Sequence, residues 1–231
     1  MKILQVINSL NPSGGGAGRW VRNLSRMMIQ QGNTVEVVCL DNPMSAFLFG
    51  ETLCIHALGE ARGAWGYHPT LKSWLKNHIR RFDCVILNGL CHYPGYILSK
   101  LSQHPDAPPY FIFPHGMPDL SFQRAAGKCL NSFWNWLYWQ LIERHVIQRA
   151  GAVFFNCDEE MYLASKTLRS HMPQNEINVD NVVFRTHAYQ RGHKAVLTQE
   201  GCSSAIENLV FAMKVLTLLE GIKKLTYHKG A

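Results

Sequence analysis

Nowhere in the 231 residues is there a run of about 18 apolar residues, so no membrane-spanning helix is expected. Met1 to Ile7 is too short an apolar stretch for a signal peptide and is better used as a strand. No Cys-x-x-Cys pair occurs either. The seven cysteines (Cys39, Cys54, Cys84, Cys91, Cys129, Cys157 and Cys202) are odd in number and dispersed, mostly in apolar segments. Such a set argues against disulfides or zinc and reads as reduced, buried thiols in a cytosolic protein. Two glycine-loop signatures are each missing a part. The dinucleotide fingerprint Gly-x-Gly-x-x-Gly is met by Gly14 and Gly16, but its last position is Arg19. The Gly-Lys-Ser/Thr ending of a P-loop is absent. The aromatic and basic residues match no DNA- or RNA-binding motif, so nucleic acid is not an expected partner.

What is present begins at once. Lys2 to Asn8 is short, apolar and bounded by polar turn residues, as a buried parallel strand would be. Gly14-Gly15-Gly16 follows, and then Ala17, Val21, Leu24 and Met28 recur at helical spacing, with Arg19, Arg22 and Arg26 expected off that face. Strand, glycine turn and helix open a nucleotide-binding α/β domain. The glycines let the backbone approach a phosphate, and the helix N-terminus offers unpaired N–H groups and partial positive charge. The same turn could serve only to let helix and strand pack closely.

The chain is 47% hydrophobic, enough to bury a real core in one large α/β domain or one domain with an appendage. Its net charge of +7 favours anionic ligands and is unevenly spread. Residues 181–231 hold seven basic and three acidic residues, against sixteen and thirteen before them.

Strands are expected at Thr34–Leu40, Leu53–Ala57, Asp83–Leu87, Pro109–Phe113 and Ala152–Phe155. Helices are expected at His68–Arg81, Pro94–Ser102, Asn131–Gln148 and Asp158–Leu168. A weak strand at Val182–Phe184 and a helix at Ala205–Leu219 are the only signals beyond them. This alternation predicts a doubly wound parallel sheet, Rossmann-like, whose ligands sit at the C-terminal strand ends. Three polar strand ends stand out: Ser13–Gly16, Asn88–Gly89 and His115–Gly116. His115 is either a turn histidine or an imidazole donating to a phosphate or sugar hydroxyl. Asn88 either binds a hydroxyl or forms an Asn-Gly turn. The helix rich in Phe133, Trp134, Trp136, Tyr138 and Trp139 reads as core, or, with Arg124, Lys128, Arg144 and Arg149, as contact with a membrane surface or lipid-linked acceptor.

Taken in order, Lys2–Val6 with Gly14–Gly16, Asn88-Gly89-Leu90 with Tyr93-Pro94, Pro114-His115-Gly116-Met117 with Asp119, and Tyr138–Arg144 leading to Asp158-Glu159-Glu160 resemble group 1 (family 4) glycosyltransferases of the GT-B fold, over roughly residues 1–170. The resemblance implies two Rossmann-like domains, a nucleotide-sugar donor and retention at the anomeric carbon. It assigns Gly14, Gly15 and Gly16 to the donor diphosphate, His115 to the reacting sugar, and Asn88 and Asp119 to the acceptor, a glycan or lipid-linked molecule. It implies no cofactor and no metal. The sequence departs from the pattern at Asn88, where relatives usually carry histidine, and at Cys91, where an aromatic is common. It lacks the Gly-Arg and Lys-Lys-Gly region of the donor domain, and Glu200 and Glu207 have the wrong spacing for the family's glutamate pair. The expectation is therefore an N-terminal, acceptor-side half over 1–180, without the donor-binding domain, followed by a divergent, truncated or frame-shifted basic tail at 181–231. Such a half is expected in the cytoplasm, with contact to the inner face of a membrane, and inactive alone unless a partner chain supplies a donor domain. Two other readings stand beside it: a non-catalytic glycan- or nucleotide-binding half-domain acting with a partner, and an oxidoreductase with Asp41 as ribose ligand.

Overall fold

The computed structural model describes residues 1–115 and 138–154. Six parallel strands form one sheet: β1 (Lys2–Ile7), β2 (Thr34–Cys39), β3 (Cys54–Ala57), β4 (Cys84–Asn88), β5 (Tyr110–Phe113) and β6 (Ala152–Val153). Their order is β3-β2-β1-β4-β5-β6. This is the Rossmann-like doubly wound order, with the chain reversing direction across the sheet between β1 and β4.

The strands read as apolar runs because both faces are covered. Ile3, Val35, Ile86 and Phe111 lie under α1 (Gly16–Gln30), together with Leu24 and Met28. Leu4, Val6, Val38, Val85, Leu87 and Ile112 lie under α2 (Pro69–His78), α3 (Tyr93–Leu101) and α4 (Arg144–Gln148). Proline opens α2 and sits in the first turn of α3, where a missing N–H costs nothing. The Tyr110 hydroxyl donates to the Val146 carbonyl and ties α4 to the sheet.

Three expectations change. Arg22 does not lie off the buried face of α1: it is 8% exposed, in line with Gly18 and Ser25. Its guanidinium donates to the carbonyls of Leu10 (2.7 Å) and Phe47 (3.1 Å) and pairs with Glu51, so the charge is buried with partners. Asp41 is not available to a ribose, because it accepts from the Ser9 hydroxyl (2.5 Å) and the Leu10 N–H (2.8 Å). The cysteines are not all buried: Cys39 and Cys84 are, but Cys54 is exposed on β3 and Cys91 is half-buried. The described part of the tryptophan-rich helix is helical but irregular, a π-turn at Trp139–Glu143 leading into α4. Phe133, Trp134, Trp136, Asp119, the helix expected at 158–168 and residues 181–231 lie outside the described residues.

Gly18 is the close-packing glycine of the first helix. A Cβ there would lie 3.0 Å from the Leu10 carbonyl oxygen and 3.2 Å from its Cα. The missing third glycine of the fingerprint is thus replaced, one position earlier, for its packing role. Gly18→Val should push α1 off the loop after β1 and destabilise the chain by about 1–3 kcal/mol. Denaturant melts will check this, and an unchanged midpoint would show that the helix packs elsewhere.

Candidate functional site

The strand order reverses between β1 and β4, and doubly wound folds bind ligands outside the C-terminal strand ends at that point. The sequence places three features there, on three adjacent strands: the glycine turn after β1, Asn88 ending β4, and His115 just past β5.

The turn is a short 3-10 segment, Pro12–Gly14, in which the Asn11 side chain accepts from Ser13 N–H. Gly15 follows with φ +112° and ψ −168°, a conformation essentially restricted to glycine. It caps α1 without any side-chain hydrogen bond, so the helix presents its first N–H groups outward. A Cβ at Gly14 or Gly15 would meet nothing within 4 Å, so the turn borders open space. An anion at that place would meet amides and the positive end of the helix dipole.

At the ends of β4 and β5 runs a polar chain that starts inside β1. Asn88 is 4% exposed and Gln5 fully buried. Asn88 Nδ2 donates to Gln5 Oε1 at 2.7 Å, and its Oδ1 accepts from His115 Nε2 at 2.9 Å. The link is possible because Gln5 and Asn88 both point to the α1 face of neighbouring strands. Trp20 of α1 closes over the imidazole edge-on, with ring centroids 4.6 Å apart, and Phe113 stacks below it at 6.2 Å. Burial pushes the His115 imidazole down to about 4, so it is neutral at physiological pH. Its tautomer follows from Asn88: a carbonyl oxygen only accepts, so Nε2 carries the hydrogen.

His115 (φ +54°) and Cys91 (φ +61°) are the only non-glycine residues with positive φ among those described, and both sit just past strand ends. Each conformation costs on the order of 1–3 kcal/mol and persists only where neighbours enforce it. At Cys91 the enforcing group is Glu143, 1% exposed in the π-turn. Its Oε1 accepts from Cys91 N–H at 2.9 Å and its Oε2 from the Tyr138 hydroxyl at 3.3 Å, which in turn accepts from Trp65 Nε1 at 2.9 Å. Burial pushes the Glu143 carboxyl up to about 7 despite these two donors. π-turns gather at functional sites, and this one shapes the loop that follows Asn88.

Asn88 and His115 are therefore in contact, and the glycine turn lies at the neighbouring strand end. Asp119 is outside the described residues. Sequence reading missed Gln5, Trp20 and Glu143 as supporting residues. For Gln5 the available signal was a lone polar residue inside an apolar strand. Glu143 lay inside the Tyr138–Arg144 motif but with no sign of its partner 52 positions away, and Trp20 had no signal, its partner lying 95 positions on.

The sequence profile described as Glycosyltransferase Family 4 matches residues 14–172. No curated protein matches the chain. Among solved structures, an alpha-glucosyltransferase in complex with UDP and a mismatch-containing 13-mer DNA is 14% identical, with a TM-score of 0.42 over 69% of this chain and 37% of that one. A UGT transferase from Siraitia grosvenorii in complex with UDP is 12% identical, with a TM-score of 0.43 over 74% of this chain and 49% of that one. The chain spans less than half the length of either structure.

Two titrations check this site. His115 takes up its proton far below its ordinary value of 6.5, so the unfolded chain binds that proton first and stability falls as pH drops from 6.5 through about 4. NMR of the ring Cε1–H should show no shift at pH 6; a midpoint near 6.5 would mean a solvated imidazole. Glu143 has the opposite sign: its contribution is present below its ordinary 4.5 and is lost as pH rises through about 7. Glu143→Gln keeps an acceptor for Cys91 and carries no charge. It should be more stable than the parent, with a gap that vanishes in acid, opens as pH rises from 4.5 to about 7 and levels off above that, as followed by urea melts.

Proposed function

The chain belongs to glycosyltransferase family 4, and we propose that it contributes the acceptor-side wall of a site that transfers a sugar from a nucleotide-sugar donor to a glycan or lipid-linked acceptor. The observation that carries this reading is the buried Gln5–Asn88 pair bonded to the half-buried His115, next to the strand that leads into the glycine turn, at the reversal point of the sheet. The division of labour follows from charge. An imidazole held neutral by burial cannot neutralise a diphosphate, but it can hydrogen-bond a sugar. The main-chain N–H groups of Gly15 and Gly16, with the α1 dipole behind them, suit the charge that develops on the leaving diphosphate. Asn88, buried at the end of β4, holds the imidazole in one tautomer and orientation. Asp119 would complete the acceptor contacts. No cofactor or metal enters this chemistry.

Positioning and charge stabilisation in such a transfer come from both walls of a cleft. The wall described here leaves the diphosphate to compete with water for two amides. The isolated chain should therefore bind uridine or guanosine diphosphate sugars weakly and turn them over poorly. Adding the donor domain of a family member, in trans or by fusion, should produce transfer. In that assembly His115→Ala should cut transfer by about 100-fold, the scale for one preorganised group. Gly15→Ala should weaken donor binding. Radiolabelled sugar transfer and calorimetry read these outcomes. Full transfer by the His115→Ala fusion would overturn the reading, and so would rapid transfer by the purified chain alone.

A further inference from the structure

On the opposite side of the sheet from α1, at its β3 edge, stands a second cluster. We propose that Glu36, Cys54 and His56 form a binding site for a divalent transition metal, with zinc the best match to the donors. One oxygen, one sulfur and one nitrogen lie within 4.8 Å of one another. Carboxylate, thiolate and imidazole together suit zinc better than magnesium or calcium, which take oxygen ligands.

Sheet geometry builds the cluster. Cys54 and His56 are two positions apart on β3 and so share a face. Glu36 of β2 is the registered partner of Cys54, and Val38 that of His56, which sets the carboxylate beside both donors. Cys54 Sγ and His56 Nε2 are 3.7 Å apart. A tetrahedral ion with Zn–S of about 2.3 Å and Zn–N of about 2.0 Å spans roughly 3.5 Å between those two atoms, so they already stand at ligand spacing. Glu36 Oε2 is 2.6 Å from His56 Nε2, a hydrogen-bond length that opens by under about 1 Å to admit the ion. The Trp74 ring lies 4.9 Å from the imidazole, centroid to centroid, and restricts its rotation. Cys54 is exposed, which leaves the remaining coordination position to water.

Proton accounting is simple. The thiol gives its proton to solvent on binding, and the imidazole hydrogen moves from Nε2 to Nδ1 with no net change. Arg81 opposes the ion: its guanidinium sits 2.5 Å from Glu36 Oε2 and is half-exposed. Removing that cation should therefore strengthen binding, which a purely structural ion pair would not predict. Bound metal would clip the edge strand β3 to β2.

The test is a cobalt(II) titration of the full chain, followed by zinc displacement. The parent should develop thiolate-to-metal charge-transfer and tetrahedral ligand-field absorption with one equivalent, and zinc should bleach both. Cys54→Ser should remove the charge-transfer band, His56→Gln should lower affinity at least about tenfold, and Arg81→Gln should raise it. Zinc should raise the melting temperature of the parent but not of Cys54→Ser. The proposal is overturned if the band survives in Cys54→Ser, which would place the metal on another cysteine. It is equally overturned if the parent needs millimolar metal, or if Arg81→Gln binds no more tightly.

Discussion

The peptide of Leu10 is held from three sides, and the rest of the candidate site depends on it. Its N–H donates to Asp41 at the end of β2, its carbonyl accepts from Arg22 of α1, and its Cα lies against Gly18. Each charged hydrogen bond is worth about 1.5–3 kcal/mol, and loss of one partner would strand a buried charge. This clamp sets where the chain leaves β1, hence where the glycine turn begins and where α1 points its first amides. Asp41 and Arg22 are in this sense residues of the site.

Burial acts on two titratable groups near the same strand ends, with opposite results. It keeps His115 neutral by making the imidazolium costly, and it holds Glu143 near its titration point by making the carboxylate costly. Both groups are fastened to residues in left-handed backbone, one being His115 itself and the other Cys91. The first residues past β4 and β5 are thus held by polar contacts as well as by apolar packing, Leu90 within the core and the Trp20 ring against His115. The polar contacts are directional, so a satisfied polar network fixes one geometry.

The two faces of the sheet carry different chemistry. On the α1 face, Gln5 and Asn88 are buried and bonded to each other and to the half-buried His115 at the C-terminal edge. On the other face, at the outer edge, Glu36, Cys54, His56 and Arg81 stay within reach of solvent. An edge strand has no neighbour to cover it, so charged and metal-ligating side chains can stand there at little desolvation cost.

Much of this protein is legible from its sequence alone. The apolar runs at β1, β2, β4 and β5, the proline-opened helices and the glycine turn are local signals, because strand burial, helix capping and turn conformation each depend on a few neighbouring residues. The positions of Asn88 and His115 at strand ends follow from the same local rules. Their contact does not: it requires β4 and β5 to be adjacent and in one register, which is a property of the whole sheet. The partners of Asp41, Arg22, Glu143 and the Glu36–Cys54–His56 group likewise come from segments far apart in the chain. Sequence pattern determined which residues enter strands and helices, since that is decided over a few residues by periodicity. Only the tertiary structure decided which polar atoms meet, because hydrogen bonds and ligand sets form between atoms a few ångströms apart, whatever their separation along the chain.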